Sequence, residues 1–257
     1  MFLPSFSLDG QVAVVTGAGR GIGRALAIGF AEAGADVVLI ARTEGDLKDT
    51  AGIIKDMGRE ALPIRADVTS REEIHNAISR IHGKWGKIDI LINNAGMNIR
   101  SKALEVSEQE WQTIMDTNLK SAFMMSQEVG ALMKEQDTGG RIINIASVAG
   151  HVALRTGVVY ASTKAAMIQM TKVLAMEWGQ YGINVNSIGP WYFKTPLTEK
   201  LLADEEYLRD ILAVTPLDRV GELPELVGPA VFLSSDAGSY VTGQTLFVDG
   251  GMTIHGF

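Results

Sequence analysis

The chain contains no cysteine, so disulfide frameworks, thiolate metal centres and nucleophilic thiols are excluded as the basis of its structure or chemistry. Histidine is sparse. His75, His82, His151 and His255 are scattered without H-E-x-x-H or comparable ligand spacing, and no metal site is expected. Basic residues are outnumbered, 23 Lys and Arg against 30 Asp and Glu, for a formal net charge of -7. That balance argues against nucleic acid as a partner, because phosphate backbones demand clustered cations. No segment approaches the roughly 18 to 20 apolar residues of a bilayer span, and the opening "MFLPSFSLDG" lacks the regions of a secretory signal. The chain reads as soluble and cytoplasmic, with no membrane partner. Low-complexity stretches, repeats and linkers are also missing, so 1–257 is expected to form a single domain.

What is present is a 46% hydrophobic chain, enough for a sizeable core. Short apolar runs rich in β-branched residues recur at 11–17, 36–41, 61–67, 88–94, 141–147, 183–189 and 244–250. Helical periodicity fills the intervals, the longest stretches lying around 108–135 and 158–180. Near-continuous apolar strands alternating with helices predict an α/β fold: a doubly wound parallel sheet of about seven strands, covered on both faces. The segment 190–224 breaks the alternation and is rich in Leu and acidic residues. An insertion of that length in a compact domain is expected to be a substrate lid.

Directly after the first strand comes "TGAGRGIG". Gly17, Gly21 and Gly23 permit a tight turn and close approach to a pyrophosphate, and the helix opening at Arg20, Gly21 and Ile22 supplies free N–H groups. A glycine triplet alone is a weak signal; its place between a first strand and a first helix makes it a dinucleotide cradle. At the end of the second strand, Ala41 stands where an NAD enzyme offers a carboxylate, followed by Arg42. Two guanidiniums, Arg42 and Arg20, suit a 2′-phosphate, so NADP(H) is favoured. The alternative is NAD(H), with Glu44 or Asp46 meeting the ribose.

In "VYASTKAAM", Tyr160 and Lys164 stand at i and i+4, one helical face. Carbonyl reduction by hydride needs a proton for the forming alkoxide, and the reverse reaction needs a base. A phenol with pKa about 10 is a poor base at neutral pH; an adjacent ammonium and a positive nicotinamide are expected to favour phenolate. Ser147, closing the fifth strand in "NIASVAG", lies at the carboxyl edge, where its hydroxyl can donate to the substrate oxygen. Asn118 falls inside a helix, against its propensity. Taken singly, Ser147 reads as a strand-end cap, Asn118 as a surface amide, and Tyr160 with Lys164 as an amphipathic pair.

Taken together, the G-x-x-x-G-x-G loop and the ordered set Asn118, Ser147, Tyr160 and Lys164 resemble the short-chain dehydrogenase/reductase family, from "LDGQVAVVTGAGRGIG" to "YVTGQTLFVDGG". The resemblance implies that Asn118 holds its helix open for a water linking Lys164 to solvent, and that Lys164 binds the nicotinamide ribose. It further implies that Asp67 and Val68 in "ADV" form the adenine site and that "NNAG", with Asn94, Ala95 and Gly96, forms a cofactor-side turn. Beyond the sixth strand, Pro190 is followed by Trp191 where the family has glycine; the indole is expected either to pack over the cofactor or to narrow the pocket. Thr195 resembles the carboxamide-binding threonine, and also suits a cap for a helix beginning at Pro196. Within the family, the chain looks most like the gluconate 5-dehydrogenase branch, which implies a sugar-acid substrate. Asn98, Arg100, His151, Arg155, Trp191 and Lys194 are the polar and bulky candidates around such a substrate. A 3-oxoacyl-thioester reductase is the nearest alternative, and a nicotinamide-binding regulator without turnover is the alternative of another class. The apolar faces of the two longest helices, and the tail "GGMTIHGF", imply a homotetramer.

Overall fold

The computed structural model describes residues 2–254. Five strands and their helices alternate through the first two thirds of the chain: β1 (Val12–Thr16), α1 (Gly21–Glu32), β2 (Asp36–Ala41), α2 (Glu44–Asp56), β3 (Ala61–Arg65), α3 (Arg71–Trp85), β4 (Ile90–Asn93), α4 (Glu108–Met115), α5 (Ser121–Glu135) and β5 (Gly140–Ile145). Then follow α6 (Val158–Trp178), β6 (Ile183–Pro190), α7 (Glu199–Leu202), α8 (Glu205–Ala213), α9 (Pro224–Ser234) and β7 (Thr245–Val248). All seven strands pair in parallel in the order β3-β2-β1-β4-β5-β6-β7.

The strand sequences explain the two covered faces. Alternate residues of a strand point to opposite sides. Ala13, Val15, Val37 and Leu39 enter one core with Leu26, Phe30, Leu226 and Ala230 of α1 and α9. Val12, Val14, Val38 and Ile40 enter the other, with Ile74, Ile81, Met125, Val129 and Leu174 of α3, α5 and α6. Burial on both faces is why these strands are apolar without alternation. Chain order reverses between β1 and β4, which places the glycine loop and the "NNAG" turn side by side at the carboxyl edge, the ligand-binding position of doubly wound sheets.

Two expectations about helices are refined. The stretch 108–135 is not one regular helix, because a π-turn at Asp116–Lys120 separates α4 from α5. The helix expected from Pro196 begins only at Glu199. Residues 191–223 carry α7 and α8 over a small core of their own, built from Tyr192, Ile211, Val220 and Leu208. No described helix is long and apolar enough to cross a membrane. Of the expectation for the tail, His255, Gly256 and Phe257 lie outside the described residues.

Candidate active site

Gly17 and Gly21 have φ of 65° and 56°, left-handed values that carry the chain from β1 straight into α1. Arg20 is the N-cap of α1 in extended conformation, with no side-chain cap bond and no acidic residue in the first turn. The leading N–H groups, including those of Ile22 and Gly23, are left for an external anion at the positive end of the helix dipole. The turn after β4 is bolted to this loop. Thr16 Oγ1 accepts from the N–H groups of both Asn94 and Ala95 at 3.0 Å, and Asn94 Nδ2 donates to the Thr16 carbonyl at 2.9 Å. Gly96 completes the turn, 3.3 Å from Asn118 Oδ1 as measured from the position of an added Cβ. These residues fit a dinucleotide pyrophosphate by donor chemistry and by shape.

Arg42 directly follows β2, and both it and Arg20 are exposed with no carboxylate at ion-pair distance among the described residues. Glu44 is held by Lys48 at 2.8 Å, while Asp46 lies beneath the glycine loop against Gly19. Arg65, paired with Ala41 in the sheet register, donates through Nε to the Arg42 carbonyl at 3.3 Å. Arg42 at the end of β2 and Arg20 at the start of α1 therefore have no carboxylate partner among the described residues. Asp67 accepts from Thr69 N–H at 2.9 Å and from its hydroxyl at 2.8 Å. Burial works to raise its pKa, but the Thr69 bonds and the nearby Arg42 charge outweigh it and hold the carboxyl below its usual range. Val68 beside it is buried in the α3-side core.

At the carboxyl edge, Ser147 lies two residues beyond β5 in an extended conformation and its Oγ accepts from Ala149 N–H at 3.1 Å. Tyr160 and Lys164 project from the first turns of α6, and Ser147 lies near enough to the phenol to favour its charged form. Lys164 is 4% exposed; its Nζ donates to the Ile145 carbonyl at 2.7 Å and lies 5.6 Å from the Tyr160 ring centre. Burial depresses its pKa to about 8. Burial also pushes the Tyr160 phenol up, opposed by Ser147 and the Arg100 charge. The expectation that Lys164 draws Tyr160 toward ionisation is thus not met by the chain alone, because the ammonium is directed at a backbone carbonyl and desolvation dominates. Asn118 sits in the π-turn, fully buried. It donates to the Met97 carbonyl, accepts from Met97 N–H, both at 2.8 Å, and reaches Thr163 Oγ1 at 3.3 Å.

The remaining candidates form a rim. Asn98 donates to the Thr156 carbonyl at 2.9 Å, and His151 packs on Phe247 with ring centres 5.0 Å apart. Arg155 is paired with Asp210 of α8 at 2.8 Å, and Arg100 donates to the Tyr207 hydroxyl at 2.8 Å. Neither guanidinium is free-standing. Pro190 ends β6 beside Val248, and the Trp191 indole donates to Thr215 Oγ1 at 3.0 Å while meeting Tyr192 edge-on. The indole therefore joins the small α7–α8 core. Thr195 lies over Gly21, whose added Cβ would meet it at 3.8 Å, and accepts from Thr198 N–H at 3.3 Å, so it both faces the glycine loop and caps a turn. Beside it opens a pocket of ≈ 570 Å³ lined by Lys194, Thr195, Pro196, Leu202 and Val220. Tyr192 and Tyr207 had no sequence signal, since their partners lie on distant loops.

A family model described as Enoyl-(Acyl carrier protein) reductase matches residues 17–253. The chain is 43% identical over 250 residues to a gluconate 5-dehydrogenase of Gluconobacter oxydans, covering 97% of each chain. It is 41% identical to a 2-dehydro-3-deoxy-D-gluconate 5-dehydrogenase of Dickeya dadantii, covering 98% of each. A crystal structure of a gluconate 5-dehydrogenase from Burkholderia cenocepacia in complex with NADP and tartrate superposes with a TM-score of 0.93 at 40% identity, over 97% of each chain.

Proposed function

The chain belongs to the short-chain dehydrogenase/reductase family, and from that membership we propose an NADP(H)-dependent oxidoreductase that interconverts a secondary alcohol and a ketone on a sugar acid such as gluconate and keto-gluconate. The observation that carries the reading is the convergence of Ser147, Tyr160 and Lys164 at the edge that also bears the glycine loop. The sugar-acid relatives, matched over nearly the full length, support the substrate class.

When bound, the nicotinamide supplies or takes up the hydride. The chain's own residues manage the proton and the charge. In reduction, Tyr160 gives its phenolic proton to the forming alkoxide, and Ser147 donates to the same oxygen as charge develops on it. A phenol raised by burial is in the acid form at neutral pH, which suits that direction. Lys164 is pinned by Ile145 at the height of the ring and orients the ribose side of the site. Asn118 anchors the helix around the proton path to Lys164. Arg20 and Arg42 bind the 2′-phosphate, Asp67 and Val68 bound the adenine, and the segment 190–224 acts as the lid, with Thr195 over the carboxamide. Asn98, Arg100, His151, Arg155 and Trp191 surround the acid.

The test is NADPH and NADH oxidation in parallel with 5-keto-gluconate and an acetoacetyl thioester, with Tyr160→Phe as the blank. NADPH turnover on the keto-acid supports the reading. Turnover on the thioester alone moves the chain to acyl reduction, the class named in the matched family description. Binding of NADPH without turnover of either makes it a regulator. The chain is further proposed to work in the cytoplasm as a homotetramer, through the exposed Trp111, Phe123, Val173 and Met176 of α4, α5 and α6; light scattering that returns a monomer at micromolar concentration refutes this.

A further inference from the structure

Three cations reach the rim of the site: Arg100, Arg155 and Lys194. Arg155 is paired with Asp210 and Lys194 with Glu222. Arg100 has no carboxylate at ion-pair distance among the described residues; its Nη1 donates to Tyr207 at 2.8 Å. Tyr207 projects from α8, and its hydroxyl is also hydrogen-bonded to that of Tyr192, whose ring it meets edge-on at 5.9 Å. The Tyr207 ring lies between two guanidiniums brought by separate loops, Arg100 at 6.0 Å and Arg155 at 5.4 Å from its centre. One side chain of the lid thus ties α8 to both loops that flank the catalytic edge.

The phenols hold Arg100 without neutralising it. Burial, together with the bond from Tyr207, raises the Tyr192 pKa to about 12 against the opposing pull of Arg100, so that phenol carries no charge at neutral pH. Arg100 is also close to the chemistry. A Cβ on Gly157, which precedes α6, would lie 3.7 Å from Arg100 Cα, and Tyr160 follows three residues later. A guanidinium has five donors in a planar fork, and one neutral acceptor leaves room for a carboxylate to bind bidentately.

We propose that Tyr207 is a positioning residue: its hydroxyl orients the uncompensated Arg100 guanidinium toward the substrate carboxylate, so that closure of the lid helix and recognition of an acid are one event. This rests on the sugar-acid reading. Arg100 supplies the charge, Tyr207 fixes its direction, and Tyr192 fixes Tyr207.

The experiment is calorimetric titration of D-gluconate into the NADPH-saturated enzyme, for wild type, Tyr207→Phe, Arg100→Met and the double variant. Phenylalanine keeps the ring between the guanidiniums and removes only the oxygen. Loss of one bond to a charged group predicts about ten-fold weaker gluconate binding in Tyr207→Phe. The Arg100→Met variant loses more, and the double variant is no weaker than Arg100→Met, because Tyr207 acts through Arg100. In steady state, KM for 5-keto-gluconate in Tyr207→Phe rises by about the same ten-fold while kcat falls by less than about two-fold. Additive losses, or a Tyr207→Phe variant that binds gluconate like wild type, overturn the proposal alone. A wild type that binds no gluconate overturns the sugar-acid reading and this proposal with it.

Discussion

Asn118 and Met97 exchange two hydrogen bonds of 2.8 Å each, the amide of one satisfying both the N–H and the carbonyl of the other across 21 residues. This joins the π-turn between α4 and α5 to the irregular segment that follows β4, so the widened helical turn is tied to the carboxyl edge by a side chain that pairs as a backbone neighbour would. Replacing it by alanine leaves the part-buried Met97 N–H and carbonyl without these partners, a loss of up to about 1 to 3 kcal/mol for each orphaned group. Asn118→Ala is expected to lower the urea midpoint clearly and to reduce turnover with it. An Asn118→Ala protein of wild-type stability would show that water replaces both bonds.

Tyr160 carries the proton proposed for transfer, and Ser147 lies beside it. Removing it leaves the glycine loop and the Arg42 site untouched. Tyr160→Phe is expected to cut kcat by about 10²- to 10⁴-fold, the range of a positioned acid. NADPH affinity, read by fluorescence, should change little. Loss of both together would mean that the phenol holds the fold or the cofactor rather than the proton.

Lys164 links the site to pH. Its folded pKa, about 8, lies below the ordinary lysine value of 10.5 because burial penalises the charged form. Between those values the unfolded chain holds a proton that the folded chain has released, so this group's contribution to stability rises with pH across the window and costs most below about 8. The full swing is on the order of 3 kcal/mol. The stability of wild type relative to Lys164→Met should therefore improve from pH 8 toward pH 10. A pH-independent difference would mean that the ammonium is solvated.

The sheet was legible because burial on both faces writes apolar runs such as "DVVLIA" directly into the chain, and the glycine loop because left-handed turns select glycine. The four polar residues proposed for the chemistry were singled out by type and order. Their wiring was not legible. Lys164 pairs with a backbone carbonyl, which has no residue signature, and Asn118 widens a helix whose sequence periodicity runs on unbroken. The Arg100–Tyr207 contact spans 107 positions, so nothing local marks Tyr207. Trp191 was open between two roles, and the structure adds a contact that neither named, the bond from its indole to Thr215 in the α7–α8 segment.

Arg42 is exposed and free of carboxylate partners among the described residues, so its effect on cofactor choice is a matter of charge. Arg42→Ala is expected to weaken NADPH binding by about ten-fold or more at low salt, the scale of one charge-assisted bidentate contact, and to leave NADH binding unchanged. Added salt should narrow the gap between wild type and variant. Equal weakening for both dinucleotides would place Arg42 at the adenine or ribose rather than at the phosphate.

Gly23 shows how closely the cradle is built. A Cβ there would lie 2.2 Å from the Gly17 carbonyl oxygen and 2.4 Å from Asn94 Nδ2, distances that real side chains do not reach. Neither neighbour can give way cheaply, since Gly17 is fixed in a left-handed turn and Asn94 is held to the Thr16 carbonyl. Gly23→Ala must therefore displace the loop, the α1 terminus or the "NNAG" turn, at a cost of about 1 to 3 kcal/mol for overpacking. The displacement falls on the donors that meet the pyrophosphate, so NADPH and NADH affinity should drop together, unlike the selective loss in Arg42→Ala. Titration of both dinucleotides into Gly23→Ala decides it. Retained affinity for either one would show that the anion is held elsewhere than at this helix terminus.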